Sequence, residues 1–326
     1  MKYKKLTGTG LDVSEICMGA MTFGGQVDEK TGIEAIDYCS DQGINFFDTA
    51  NGYNFGKSEE ILGKAFKNKR DKAIIATKVG SGVWQDKNIP NSFGLSRSYI
   101  LEQVELSLKR LQTDYIDIYY LHAPDVNTPV EETLDTMDML IHSGKVRYIG
   151  ASNYAAWQLC QMYYKSQFAC KNRPVMVQMV YNIITRGIEQ ELLSFLSEHK
   201  MGLVVYNPVA AGFLTDKYKD KQMLPNTRFA TNKMYADRYW NQDNFAAWDE
   251  IHAIAQEAGI SMVELAMRWV YSMPQVNSIL TGFSSMEQLK ENIKTIDAGK
   301  LPDDVLEKCD KVWQKVSGTR FKYNRT

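Results

Sequence analysis

The segment Asn45 to Tyr53, NFFDTANGY, ends an apolar run on the carboxylate of Asp48 and then supplies the phenol of Tyr53. Two further apolar runs end the same way, AIIATK on Lys78 and YIDIYYLH on His122. A carboxylate, a phenol, an ammonium and an imidazole are the parts of a tuned proton donor. An unperturbed tyrosine, with a pKa of ~10, is a poor acid near neutrality. An ammonium beside it favours the phenolate and lowers that value, and a carboxylate paired with the ammonium holds it charged and in place. The imidazole can then hydrogen-bond the same substrate oxygen and orient it. Singly, each residue has an ordinary reading: Asp48 as a helix cap, Lys78 as a surface residue beyond its strand, His122 as a satisfied core histidine. Jointly they require a frame that gathers several strand ends at one place.

The chain alternates short apolar runs with amphipathic segments. The strand candidates are Ser14–Ala20, Asn45–Thr49, Ala73–Lys78, Tyr115–His122, Val146–Ser152, Val175–Tyr181, Gly202–Asn207 and Val276–Gly282. Between them, Leu101, Val104, Leu108 and Leu111 recur at helical spacing behind a capping Ser96. Val130, Leu134, Met137 and Ile141 form a second stripe, with Pro129 in the first turn and Gly144 at the stop. A third stripe, Met286, Leu289, Ile293 and Ile296, follows a capping box of Ser285 and Gln288. Strands apolar on both faces and separated by helices predict a parallel sheet covered by helices. Eight such units predict a closed (β/α)8 TIM barrel, preceded by an N-terminal β-hairpin turning at Gly8 to Gly10. The alternative, a doubly wound open sheet, lacks the G-x-G-x-x-G expected after its first strand.

Two stretches, Val79–Ser96 and Thr215–Asn244, show neither period and follow predicted strands. They are expected to be long loops at the C-terminal face, where barrel enzymes build their sites. No repeat or low-complexity segment divides the chain, so residues 1–326 are expected to form one domain. Lys+Arg 38 against Asp+Glu 39 gives a net charge of -1, with no basic surplus for nucleic acid. No run approaches the ~20 apolar residues of a membrane span, and the N-terminus lacks the apolar core of a leader, so a cytoplasmic protein is expected. The five cysteines are scattered and never paired as C-x-x-C, which predicts reduced core thiols and no metal site.

The stretches FFDTANGY with GKSEEILG, IIATKVG, SLKRLQTDYIDIYYLHAPD, IGASN, VQMVYN, VVYNPVAAGFLT and LTGFSSMEQLKEN resemble, in order, those of the aldo-keto reductases. The variants YNPVAAGFL and GFSSMEQLKEN are most similar to the branch holding potassium-channel β subunits and bacterial reductases. The resemblance implies a barrel that binds NADPH without a Rossmann fold and reduces carbonyl compounds. It maps the family's catalytic tetrad onto Asp48, Tyr53, Lys78 and His122.

The resemblance also implies cofactor positions. Ser152, Asn153 and Gln178 suit the nicotinamide carboxamide, Tyr206 the ring face, and Met21 and Thr22 its flanks. Asn207, Pro208, Val209, Ala211, Gly212 and Leu214 form a small-residue stretch over the pyrophosphate. Gly282, Ser284, Gln288, Glu291 and Asn292 stand around the start of the last barrel helix. Many relatives carry an arginine where this chain has Ser285, which leaves Lys217 and Arg228 as the cations for a 2′-phosphate. Trp84, Phe93, Tyr235, Tyr239 and Trp240, in the two irregular stretches, are candidates for an aromatic substrate pocket. Two other classes use some of the same parts: a Schiff-base aldolase built on Lys78, and an NADPH-holding redox-sensing subunit that turns over slowly.

Overall fold

The computed structural model describes residues 1–80, 89–225 and 227–318. An antiparallel hairpin of β1 (Tyr3–Lys5) and β2 (Asp12–Ser14) opens the chain. Eight parallel strands follow: β3 (Ile16–Gly19), β4 (Phe46–Asp48), β5 (Ile74–Val79), β6 (Ile116–Leu121), β7 (Val146–Ser152), β8 (Met176–Val180), β9 (Gly202–Tyr206) and β10 (Ser278–Thr281). They pair in chain order, and β10 closes on β3 to complete a barrel. The predicted strands and the closed (β/α)8 architecture with its hairpin are therefore both found, and the open-sheet alternative is excluded.

Helices α1 (Glu29–Asp41), α2 (Lys57–Phe66), α3 (Arg97–Leu111), α4 (Val130–His142), α5 (Ala156–Phe168) and α6 (Leu192–Glu198) each return the chain between successive strands. Two short helices, α7 (Arg228–Thr231) and α8 (Lys233–Tyr239), precede α9 (Gln242–Glu257) and α10 (Met262–Ser272) between β9 and β10. Finally α11 (Met286–Asp297) and α12 (Asp303–Val316) follow β10. Ser96 caps α3 through its side chain, as its spacing predicts. Pro129 sits one residue ahead of the first turn, as the N-cap of α4. Ser285 caps α11 by accepting from Gln288 N, but the Gln288 side chain reaches past it to Ser284 N at 2.9 Å, so the predicted box closes one residue early.

The pleat divides the strand side chains between two cores. Ile16, Met18, Phe47, Ile75, Tyr119, Val177 and Val205 face the helices, while Cys17, Phe46, Ala76, Ile118, Tyr120, Met176 and Val204 fill the barrel interior. Leu6 and Val13 from the hairpin join that inner cluster. A Cβ on Gly202, at the start of β9, would stand 2.9 Å from Leu6 Cδ1, which places the hairpin tight against the strands' N-terminal ends. All five cysteines are free; Cys17, Cys39 and Cys309 are buried, whereas Cys170 is exposed and so departs from the core-thiol expectation. Among the described residues no helix is long and apolar enough to cross a membrane, and no group of His, Cys, Asp and Glu could hold a metal.

Candidate active site

A two-residue step fixes the site. Phe46, Ala76, Tyr120, Met176 and Val204 point into the barrel, so the residues two further along, Asp48, Lys78, His122, Gln178 and Tyr206, share that inner face at the C-terminal end. Register staggers most of them by one inward-facing position from strand to strand. Asp48 lies across from Ala76, Lys78 from Tyr120, and Gln178 from both Ser152 and Val204. The ladder runs one residue beyond β6, where His122 N donates to Val79 O at 2.8 Å.

Asp48 and Lys78 form a buried ion pair, with Lys78 0% and Asp48 2% exposed. Lys78 Nζ also donates to Thr49 O at 2.8 Å, and Gln178 Nε2 donates to the second Asp48 oxygen at 2.7 Å. Burial pushes the Asp48 carboxyl up, against the pull of Lys78 and Gln178. Burial alone would lower Lys78, but Asp48 and Tyr53 together outweigh it and keep it an ammonium with a raised pKa.

Tyr53 reaches the pair from a built turn. Its Nζ neighbour, Lys78, lies 5.0 Å from the ring centroid, and the His122 ring meets it edge-on with centroids 5.8 Å apart. Asn54, Phe55 and Gly56 follow with φ of 47°, 57° and 87°, a costly run of left-handed residues that the surroundings hold. Asn54 Nδ2 donates to Met21 O and Phe23 O, and Asn51 Nδ2 donates to Gln103 Oε1. Beneath the turn Arg110 pairs with the fully buried Glu59 at 3.2 Å and donates to Asn51 O. Position 56, at φ 87°, favours glycine, and a Cβ there would fall 2.5 Å from Arg110 Cζ, so the guanidinium would have to shift. Sequence reading passed over this brace. Glu59 does carry a local signal, since it shares the buried stripe of Leu62, Gly63 and Phe66 on α2, where a carboxylate needs a partner.

The expectation that Lys78 lowers the phenol holds for its own contribution and fails for the sum. Burial raises Tyr53 by more than Lys78 draws it down, so the phenol keeps its proton at neutral pH. His122 is neutral for the same reason: burial, then the Lys78 charge, take it down to about 3. Its Nδ1 is buried with no hydrogen-bond partner among the described residues.

Around this mouth, Ser152 Oγ donates to Gln178 O at 2.9 Å, and Asn153 Nδ2 donates to His122 O at 3.0 Å. Tyr206 Oη donates to Asn153 Oδ1 at 2.7 Å. Gln178 and Thr22 are already engaged, the latter donating to Phe283 O, whereas Met21 is exposed beside them. The stretch after β9 coils tightly: Asn207, Ala210, Ala211 and Gly212 all have left-handed φ, and Gly212, Phe213 and Leu214 spend their N–H groups inside the turn. Asn207 Nδ2 is buried and unpartnered among the described residues. This orphaned donor, with Asn153 held beside Tyr206, has the polarity to meet the amide and phosphate groups of a nicotinamide dinucleotide. Pro208 and Val209 lie within the same turn.

At the far side Gly282 opens onto free space, whereas Asn292 is turned inward and donates to Thr281 Oγ1 and Gly282 O. Ser284 is tied to Gln288, and Glu291 is exposed. Lys217 is exposed on a short 3-10 turn, and Arg228, at the start of α7, lies 5.3 Å from the Tyr235 ring. The stretch Thr215–Asn244 is thus partly helical rather than a loop. Aromatic packing, not periodicity, organises it. Tyr239, 1% exposed, and the half-buried Trp240 pack with Phe213, Tyr218, Phe229 and Phe245, which makes Tyr239 a packing anchor rather than pocket lining. Tyr235 and Phe93 are open to solvent in part, and Trp84 lies outside the described residues.

The family model described as Aldo/keto reductase family matches residues 15–314. A probable voltage-gated potassium channel subunit beta of Oryza sativa subsp. japonica is 37% identical over 322 residues, covering 96% of this chain and 97% of that protein. An aldo-keto reductase of Bacillus subtilis (strain 168) is 34% identical over 297 residues, covering 89% and 87%. Aflatoxin B1 aldehyde reductase member 2 of Rattus norvegicus is 34% identical over 323 residues, covering 92% and 84%. Barrel, site and relatives define an oxidoreductase acting on carbonyl groups. The chain belongs to the aldo/keto reductase family, whose members generally use NAD(P)H.

Proposed function

We propose that this protein reduces aldehydes or ketones to alcohols with NADPH, using Tyr53 as the proton donor. The observation that carries the reading is the convergence of Asp48, Lys78, Tyr53 and His122 on one mouth. The nicotinamide, when bound, supplies the hydride for the carbonyl carbon. Tyr53 holds its proton until negative charge develops on the carbonyl oxygen, then delivers it and becomes a phenolate. Lys78 stabilises that phenolate, and Asp48 keeps Lys78 charged and aimed. Neutral His122 orients the carbonyl oxygen as a hydrogen-bond donor. Asn153 and Tyr206 hold the nicotinamide end, the stretch from Asn207 lies over the pyrophosphate, and Lys217 and Arg228 attract the 2′-phosphate.

Lys78 is poorly suited to Schiff-base chemistry, which needs a neutral, accessible amine; here it is buried, charged and bonded to two oxygens. Similarity to proteins named as potassium channel β subunits supports a second reading, a slow-turnover subunit that holds the same cofactor. A panel of aldehydes and ketones assayed by loss of NADPH absorbance separates the two. Many turnovers per chain support the reductase; a single stoichiometric oxidation supports the subunit.

A further inference from the structure

Glu59 on α2 is a carboxylate shut off from solvent, and it joins the two elements that carry Lys78 and Tyr53. One oxygen, Oε1, accepts from Thr77 Oγ1 at 2.6 Å, and the other, Oε2, accepts from Arg110 Nη1 at 3.2 Å. Thr77 is the residue before Lys78 on β5, and the pleat turns its hydroxyl out toward α2 as the ammonium turns into the barrel. The same Nη1 of Arg110 donates to Asn51 O at 3.4 Å, ahead of the turn that presents Tyr53. Asn51 N in turn donates to Lys78 O at 3.2 Å, so the path returns to the strand where it began.

This ring has no counterpart among the groups that do the chemistry. Burial pushes the Glu59 carboxyl up, against Thr77, Ser107 and Arg110, which draw it down. A buried ion pair is weak as a source of stability, since apolar residues of similar volume often serve as well. What it does provide is a fixed direction at each end. Tyr53 needs one, because the three residues after it have left-handed φ, a costly conformation that its surroundings have to hold.

We propose that Glu59 is a positioning residue for the proton transfer: by closing this ring it fixes the Tyr53 turn to the strand of Lys78, so that phenol and ammonium keep their spacing. The proposal rests on the reductase reading of the same mouth. Glu59 acts through Thr77 on one side and through Arg110 on the other. The brace runs in series from Thr77 through Glu59 and Arg110 to Asn51, so breaking one link removes it and breaking a second adds little.

Thr77→Val tests the brace at its strand end, because it keeps the shape of the residue and leaves Glu59 paired with Arg110. The kcat for a reducible aldehyde is expected to fall about 10- to 100-fold, the cost of misplaced reacting groups, with KM and NADPH affinity nearly unchanged. Thr77→Ser, which restores the hydroxyl, should recover most of the loss, and Glu59→Gln with Thr77→Val should be no slower than the slower of the two alone. In a Tyr53→Phe background Thr77→Val should cost almost nothing more, since no phenol is left to place, whereas a general loosening of the barrel would still lower the rate. In an enzyme that turns over, an unchanged kcat in Thr77→Val or a full effect in the Tyr53→Phe background overturns the proposal. Hydrogen exchange read by mass spectrometry needs no turnover. The peptide from Thr49 to Gly56 should exchange about 2- to 10-fold faster in Thr77→Val, the size of one hydrogen bond, and unchanged protection refutes the brace. Faster exchange in a protein that reduces no carbonyl keeps the brace and removes the reductase reading.

Discussion

Asp48 and Lys78 stand on adjacent strands out of step by two: Asp48 lies across from Ala76, and Lys78 follows one inward-facing position later, so the long lysine stem folds back to close the ion pair. The offset places the ammonium between the carboxylate and the Tyr53 ring instead of beyond both. Charge on Lys78 is therefore sustained from below and used from above.

Tyr53→Phe removes only the hydroxyl from a turn fixed by Asn51, Asn54 and Arg110. Turnover of a reducible aldehyde should fall by roughly a hundredfold or more, the usual contribution of a positioned general acid, while NADPH affinity is retained. Steady-state kinetics beside a cofactor titration decide it, and undiminished kcat would remove Tyr53 from the proton-donor role.

Lys78→Met leaves Asp48 buried without its counter-ion. Unfolding free energy should drop by about 3–5 kcal/mol, the cost of breaking a buried pair from one side, and activity should fall with it. Asp48→Asn should be milder on both counts, because Lys78 keeps the Thr49 carbonyl and the new side-chain amide oxygen can still accept from its ammonium. Urea denaturation of the two variants gives the order; a more stable Lys78→Met would contradict it.

Arg228→Ala should weaken NADPH binding by about 1.5–3 kcal/mol, the worth of a hydrogen bond to a charged group, and leave NADH nearly untouched. Fluorescence titration of both cofactors reads this directly. Matched losses for the two would take Arg228 away from the 2′-phosphate.

His122 has an ordinary value of 6.5 and stands at about 3 in the folded chain. Across that window the unfolded chain binds a proton here that the native protein does not, so native stability falls as pH falls from about 6.5 to 3. His122→Gln should show a shallower loss between pH 7 and pH 5 in denaturation midpoints. Identical slopes would mean that the imidazole is not held neutral.

Gly56→Ala forces a side chain into φ +87° and against Arg110 Cζ. A cost of about 1–3 kcal/mol is expected for the strained backbone, with a fall in kcat, since Arg110 supports the turn that carries Tyr53. Thermal melts and kinetics on one preparation suffice; an unaffected variant would show the turn to be freer than its contacts imply.

What the sequence made legible follows from how local each signal is. Strands such as Ile116–Leu121 announce themselves because both faces are buried, and inward-facing strand ends such as Lys78 and His122 follow from the two-residue period. Helices α7 and α8 were hidden because they are too short to show a stripe and are held by Phe213, Phe229 and Tyr239 meeting across the chain. The same packing buries Tyr239, which its loop position had suggested for the pocket. The Glu59–Arg110 pair joins α2 to α3 across a whole strand, and no local pattern at Arg110 points to its partner. The net direction of the Tyr53 shift depends on the depth of burial, which residue types do not encode.

The hairpin that packs Leu6 and Val13 into the lower barrel makes the structure a vessel with its base sealed. A molecule that reaches the Asp48 layer then has to enter by the opposite rim, where the strands end, so the depth of that layer below the rim sets how much of a bound molecule the barrel can enclose.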